Sequence, residues 1–159
     1  MASRIKDNVG LAPPDKPLAA DYERDFYSWL MEQARHVREG HWDVVDRENL
    51  AEEIESLGRE QFNKLESAFR VLLVHILKWD HQPSKQSRSW LLSIEAQRLE
   101  IEDVLADNPG LKPRIGEAIT RAYRKARVEA EKETGLDKAT FPETCSYSYD
   151  DIVSRTFAL

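Results

Sequence analysis

The chain has a single cysteine, Cys145, among its 159 residues, so no disulfide can form within it. A chain with one cysteine is typical of a reducing compartment, and we expect a cytoplasmic protein. No apolar run approaches the roughly 18 residues that cross a bilayer, which argues against a membrane span. Residues 1–20 contain no apolar segment of the kind that a secretory signal needs.

An excess of basic charge is also absent. Lysine and arginine number 23 against 29 aspartates and glutamates, which gives a net charge of −6 and argues against a nucleic-acid binder. The sequence shows no glycine-rich phosphate loop, nucleophile elbow or paired zinc motif. Charged residues make up 33% and hydrophobic residues 41%, as in a soluble globular domain. We therefore expect no resident cofactor or metal. We also favour a non-catalytic protein over an enzyme.

The apolar residues that are present recur at helical spacing from Asp21 onward, and no segment alternates as a strand would. This pattern predicts an all-α fold, a compact helical bundle of five to six helices in a single domain covering residues 21–159. Three prolines among residues 1–20 predict a flexible N-terminal arm. The predicted helices are 21–39, 46–58, 59–81, 85–107, 113–133 and a last turn from Ser148 to about Arg155.

A kink or break is expected near Gly58, because one straight helix over residues 46–80 would be about 52 Å long and would exceed the diameter of a small domain. The helix that follows is apolar on nearly all sides in its second half, as is typical of a buried central helix. We predict that residues 59–81 form the spine of the core.

The predicted helix 85–107 has two apolar faces nearly opposite each other. One face carries Trp90, Ile94, Ile101 and Leu105, and we expect it to pack on the spine. The other carries Leu92, Ala96, Leu99 and Ala106 and requires a further partner. The sequence therefore predicts a protein partner, or self-association as a homodimer, through the Leu92 and Leu99 face.

His75 lies between apolar neighbours on the spine, so we expect its imidazole to be largely buried. One interpretation is a core histidine bonded to a neighbouring helix. The other is a metal ligand or general base, which requires carboxylates of residues 52–55 to converge on it after a turn at Gly58. A metal protein or enzyme centred on His75 is therefore the alternative function.

Two segments of opposite charge stand out. Residues 46–66 hold seven acidic against three basic residues, and residues 112–132 hold seven basic against three acidic ones. The basic segment could be a track for phosphate or nucleic acid. With a net charge of −6, we favour complementary helix faces, within the bundle or across a dimer.

Several short motifs occur in an order that resembles a known family. They are Glu48-Asn-Leu-Ala-Glu-Glu-Ile-Glu-Ser-Leu-Gly58, His75-Ile-Leu-Lys-Trp79, Gln82-Pro83, Ser87-Arg-Ser-Trp90, Gln97-Arg98, Ala122-Tyr123, Glu133-Thr-Gly135 and Phe141-Pro142. In these segments, over about 21–157, the chain resembles the bacterial family catalogued as domain of unknown function twenty-nine. The resemblance implies a compact helical protein and implies no activity.

The resemblance also implies a shared set of polar residues around an aromatic cluster, Trp79 and Trp90, at the junction 78–90. The candidate polar site consists of Glu52, Glu53, His75, Lys78, Gln82, Arg88 and Arg98. Buried cations need carboxylates, so we predict that Glu52 or Glu53 pairs with Lys78 or Arg88 at the rim of this cluster. Such a pair would be either a structural clamp or part of an anion or ligand pocket.

Overall fold

The computed structural model describes residues 21–159, and the predicted arm of residues 1–20 lies outside them. About 77% of the described residues are helical and none is in a strand, so the predicted all-α class is confirmed. The five α-helices of this part of the chain are α1 (Phe26–Glu39), α2 (Arg47–His81), α3 (Arg88–Asp107), α4 (Ile115–Thr134) and α5 (Tyr149–Ser154). Short 3₁₀ turns precede α3 and α4 and follow α4.

The ends of the helices are set by local capping residues. Ser87 caps α3 by accepting a hydrogen bond from the backbone N–H of Trp90. At α5 the predicted capping box is present, with Ser148 and Asp151 each accepting from the other's backbone N–H. Gly40 and Gly135 end α1 and α4 at φ of 75° and 72°, a backbone conformation that favours glycine.

The sequence predicts a kink or a break near Gly58. Helix α2 is one continuous helix of 35 residues, so the break is wrong. The prediction assumed that the whole length had to fit one small core. The buried residues of α2 instead run from Phe62 to Trp79, a stretch of about 27 Å that a small domain accommodates. An exposed interior glycine costs only about 1 kcal/mol relative to alanine, which the neighbouring helical turns outweigh.

The N-terminal unit, residues 21–54 of the described chain, consists of α1 and the first turns of α2. Trp29 and Gln33 are its buried residues on α1. Both bind Asp46, because the Trp29 indole N–H donates to its carboxylate at 3.3 Å and Gln33 Oε1 accepts from its backbone N–H at 2.8 Å. Asp46 also accepts from the backbone N–H of Asn49 and so caps the start of α2.

The C-terminal unit, Glu55–Leu159, contains the rest of α2 with α3, α4 and α5. The second half of α2 is its centre, with Leu65, Phe69, Leu72 and Ile76 fully buried, which confirms the predicted spine. On α4 the packed face is built from small residues that allow close approach between helices. These are Ala118, Ala122, Ala126 and Ala130, each fully buried.

Helix α3 has the two faces that its sequence predicts. Ile94, Ile101 and Leu105 are buried in the core of the C-terminal unit, whereas Leu92 and Leu99 are 53% and 61% exposed.

Within residues 21–159, no helix is both long enough and apolar enough to cross a membrane.

Candidate functional site

The carboxylates of residues 52–55 were predicted to reach His75 after a turn at Gly58. No such turn occurs, because α2 continues through that residue. Glu53 instead accepts a hydrogen bond from the Tyr22 hydroxyl at 2.5 Å within the N-terminal unit, and Glu52 is exposed. The half-buried His75 places Nδ1 2.9 Å from the carbonyl oxygen of Val71, one turn earlier on its own helix. The histidine is therefore bonded within α2, and not to a neighbouring helix as one interpretation predicted.

The buried cation of the junction is Lys78, and its acidic partner comes from α4. Its Nζ atom lies 2.6 Å from Oε2 of Glu133 and 4.6 Å from the ring centroid of Trp90. The prediction that Glu52 or Glu53 pairs with Lys78 is thus wrong. That prediction used proximity in sequence, whereas the packing of α2 on α4 decides which acid is near.

The two tryptophans of the aromatic cluster differ in burial. Trp79 is 6% exposed in the core, where the ring of Phe157 meets it edge-on with centroids 5.5 Å apart. Trp90 is half-buried and packs against the core from the first turn of α3. Its ring faces the Lys78 ammonium, a cation–π contact that offsets part of the cost of burying this charge.

Two glutamines of the junction bind backbone carbonyls that the helices leave free at their ends. The Gln82 side-chain amide donates to the carbonyl oxygen of Thr134, in the last turn of α4, at 3.1 Å. The Gln86 amide donates to the carbonyl oxygen of Trp79 at 3.0 Å. Helix ends leave such carbonyls unpaired, so both glutamines act as side-chain caps. Sequence analysis named Gln82 and missed Gln86.

Arg98 fastens the C-terminal segment to α3. Its guanidinium donates to the carbonyl oxygens of Ile152 and Arg155 at 3.0 and 2.9 Å, and lies 5.3 Å from the ring centroid of Phe157. Burial lowers the pKa of this guanidinium. The side chain therefore holds α5 and the segment that follows it, which is a positioning role.

A second fastening, which sequence analysis missed, joins the end of α2 to the same segment. Arg155 donates two hydrogen bonds to the carboxylate of Asp80, at 2.9 and 2.6 Å, and the Tyr147 hydroxyl donates a third at 2.8 Å. Burial by itself would raise the pKa of Asp80, but the bonds from Arg155 and Tyr147 outweigh it and hold this pKa below its usual value. The partners are 67 and 75 residues away from Asp80, so no local pattern predicts them.

The two oppositely charged segments meet at Glu66. This carboxylate, on a side chain only 4% exposed, lies 2.8 Å from Arg121 Nε and 2.5 Å from Lys125 Nζ. Arg70 and Glu129 form a further ion pair between α2 and α4. The interpretation as complementary helix faces is confirmed at Glu66, which binds two basic residues of α4.

The outward face of α3, defined here as residues 88, 92, 95, 96, 99, 100, 102, 103, 106 and 107, lies opposite its buried face and is exposed at every position. Leu92 and Leu99 form its apolar centre, with Ala96 and Ala106 beside them. Arg88, predicted to bind a carboxylate, is at the N-terminal end of this face and is not within 4 Å of any acidic side chain in the described residues.

Comparison with known proteins places the whole described region in one family. A family model described as domain of unknown function DUF29 matches residues 22–158. The chain belongs to this family. No curated protein and no solved structure matches the chain.

The DUF29 match includes both the junction and the outward face of α3, and the two differ in what their polar atoms do. At the junction Lys78, Gln82 and Arg98 bind protein atoms and hold helix ends and the C-terminal segment together. Among residues 21–159 no group of three or more histidine, cysteine or acidic side chains could hold a metal ion. The outward face of α3 differs, because Leu92 and Leu99 are exposed there beside carboxylates that form no ion pair within 4 Å in residues 21–159.

Proposed function

We propose that this DUF29 protein is a non-catalytic protein-interaction module and that the outward face of α3 is its docking surface. The observation that carries the proposal is the pair Leu92 and Leu99, seven residues apart and 53% and 61% exposed. A helix that already buries its opposite side in the core needs no apolar residues on its outward side. Leucines repeated every seven residues are the pattern by which one helix packs on another.

The spacing of the neighbouring residues suits a helical partner. Residues 92, 96, 99, 103 and 106 alternate steps of four and three and lie within about 80° of the helix circumference. The small side chains of Ala96 and Ala106 let a second helix approach closely. The occupant that we propose is therefore a helix of a partner protein, and a second copy of this chain is the competing occupant.

A non-catalytic role is supported by the contacts at the junction. The buried ammonium of Lys78 is paired with Glu133, and the guanidinium of Arg98 donates to two backbone carbonyls. These groups fasten the fold, and their bonds are made to protein atoms. A cytoplasmic location is part of the proposal, because the chain has one cysteine, and a reducing compartment keeps such a residue as a free thiol.

The proposal is tested with a synthetic amphipathic helix that has leucines at seam positions, glutamines along both rims and a fluorescent label. We expect this neutral-rim helix to bind the wild-type chain, measured by fluorescence anisotropy at concentrations where the peptide is monomeric. Leu99→Gln should weaken binding about tenfold, because one apolar anchor of the seam is lost. Leu57→Gln on α2 is the matched control, since Leu57 is also 61% exposed.

Sedimentation of the free chain completes the test by detecting self-association. Binding, or self-association, that falls in the Leu99 variant and is unchanged in the Leu57 variant supports the proposal. If the chain binds no helix with this leucine seam, whatever its rim charge, and does not self-associate, or if both variants weaken binding equally, α3 is not a docking surface and the proposal is wrong.

A further inference from the structure

From Glu95 onward the rims of the α3 face carry only negative charge. Glu95 and Glu102 lie along one side of the leucine seam, and Glu100 and Asp107 lie along the other. Asp103 lies within the seam itself, between Leu99 and Ala106. All five carboxylates are exposed, and none forms an ion pair within 4 Å in the described part of the chain. Arg88 is the one basic residue of this face.

This charge pattern opposes a pair of α3 helices. In an antiparallel pair centred on Leu99, Glu95 of one copy faces Glu102 of the other, and the two Glu100 residues face each other. In a parallel pair, Glu95 faces Glu100 of the second copy. In both arrangements the rim contacts that join two charged residues join like charges, and each such contact is destabilising. A second copy is therefore the wrong occupant at neutral pH.

The same rims favour a cationic helix. Lysine or arginine on both sides of a partner's apolar stripe would face the four rim carboxylates, and a further cation would face Asp103 within the seam. Such peripheral charge pairs select the partner and speed the encounter, while Leu92 and Leu99 supply the apolar contact.

A cavity beside the seam adds a place for a side chain of this partner. It has a volume of about 400 Å³ and adjoins the α3 face at Glu102 and Ala106. Tyr149 and Val153 of α5 also line it, together with Arg98 and Lys112. An aliphatic or aromatic side chain at the edge of a docked helix could enter between these residues, next to the Glu102 carboxylate.

We infer, resting on the proposed function, that the partner of the α3 face is a basic amphipathic helix and not a second copy of the chain. The test compares three labelled helices with the same leucine seam and with lysine, glutamine or glutamate along the rims. At low salt the lysine-rim helix should bind the wild-type chain about tenfold more tightly than the glutamine-rim helix. The glutamate-rim helix should bind most weakly, and these differences should shrink as salt screens the charges.

Charge reversal on one rim of α3 should abolish this order. In the double variant Glu95→Lys and Glu102→Lys, the two lysines of one rim offset Glu100 and Asp107 of the other, so the lysine-rim and glutamate-rim helices should bind with similar affinity. The matched control is Glu60→Lys with Glu143→Lys, which changes the net charge equally at two exposed acids away from α3. The control should bind the three helices in the same order of affinity as the wild type, because the order depends on the charges beside the seam and not on the net charge of the chain.

The possible results separate the inference from the function on which it rests. Equal binding of the three helices, with loss in Leu99→Gln, overturns the basic partner and leaves the docking surface standing. Self-association that depends on Leu99 at neutral pH and low salt makes the second copy the occupant and also overturns the inference. Failure of all three helices to bind a chain that stays monomeric overturns the docking surface itself.

Discussion

The Nζ atom of Lys78 on α2 lies 2.6 Å from Oε2 of Glu133 near the end of α4. The lysine side chain is only 11% exposed, whereas the glutamate side chain is 46% exposed. A charge that is nearly buried needs a partner more than a charge that water can still reach. The pair is thus unequal, and the two residues should differ in how well they tolerate substitution.

We predict that Glu133→Gln lowers the free energy of unfolding by about 1–2 kcal/mol, because the buried Lys78 ammonium loses its counter-charge. The double variant Lys78→Met with Glu133→Gln should recover part of this loss, since the buried charge is then gone as well. Urea denaturation of the two single variants and the double variant measures the coupling. Glu55→Gln, which breaks the exposed pair with Arg59 at 3.6 Å, should change stability by less than about 0.5 kcal/mol. Additive effects at Lys78 and Glu133 would contradict a buried pair.

The bonds to Asp80 predict a pH dependence of stability. Since the pKa of folded Asp80 is below its ordinary value, its contribution is present above the unfolded pKa and is lost as pH falls through the folded pKa. Asp80→Asn should therefore lower the free energy of unfolding by about 1–2 kcal/mol at neutral pH. This difference between the variant and the wild type should narrow below about pH 4. Urea denaturation across this range measures the gap.

Hydrogen exchange of the segment after α5 gives a second readout for Asp80. Residues 155–157 should exchange faster in Asp80→Asn, because Arg155 loses its two bonds. Asp150→Asn is the control, since its carboxylate binds only Ser154 on α5 itself. A gap between wild type and Asp80→Asn that is constant from neutral to acidic pH would show that Asp80 does not act through its charge.

Gly58 offers a stabilising substitution. It lies inside α2, and a Cβ added there meets no atom within 4 Å. Gly58→Ala should raise the free energy of unfolding by about 0.5–1 kcal/mol, because alanine loses less backbone entropy in a helix. Gly135→Ala is the contrasting variant, since φ of 72° strains any side chain, and it should destabilise. Thermal unfolding of both variants measures the two signs. Destabilisation by Gly58→Ala would indicate that α2 bends at this residue in solution.

The residues that sequence analysis placed correctly are those whose partners are near in the chain. Ser148 and Asp151 form a capping box because the two side chains are three residues apart, and the motif records this directly. The two faces of α3 also follow from periodicity, which fixes that Leu99 lies opposite Ile94. Local pattern therefore predicted the fold class and the two faces of α3.

Long-range pairing could not be predicted in the same way. Lys78 is 55 residues from Glu133, and Asp80 is 75 residues from Arg155. Which acid meets which base depends on the register and angle at which helices pack, and hydrophobic periodicity does not specify either. The break expected at Gly58 failed for a related reason, because the sequence does not show how much of α2 must be buried.

The last prediction concerns the N-terminal unit, where the Tyr22 hydroxyl donates to Glu53 Oε1 at 2.5 Å. This hydrogen bond, with smaller contributions from burial and from the charges of Glu53, Glu52 and Asp46, raises the pKa of Tyr22 to about 12. The stabilisation from this contact is fully present below the ordinary tyrosine pKa of about 10 and is lost as pH rises toward 12.

Ultraviolet difference titration should detect this tyrosine. The wild-type curve minus that of Tyr22→Phe should show one ionisation near pH 12, well above the ordinary tyrosine pKa of about 10. Glu53→Gln should move that ionisation down toward about 10, because the charged acceptor is lost. Glu52→Gln, which removes only a neighbouring charge, should move it much less. If the ionisation that disappears in Tyr22→Phe has the ordinary tyrosine pKa of about 10, the hydroxyl does not bind Glu53 in solution. The bond then does not connect the start of the described chain to α2.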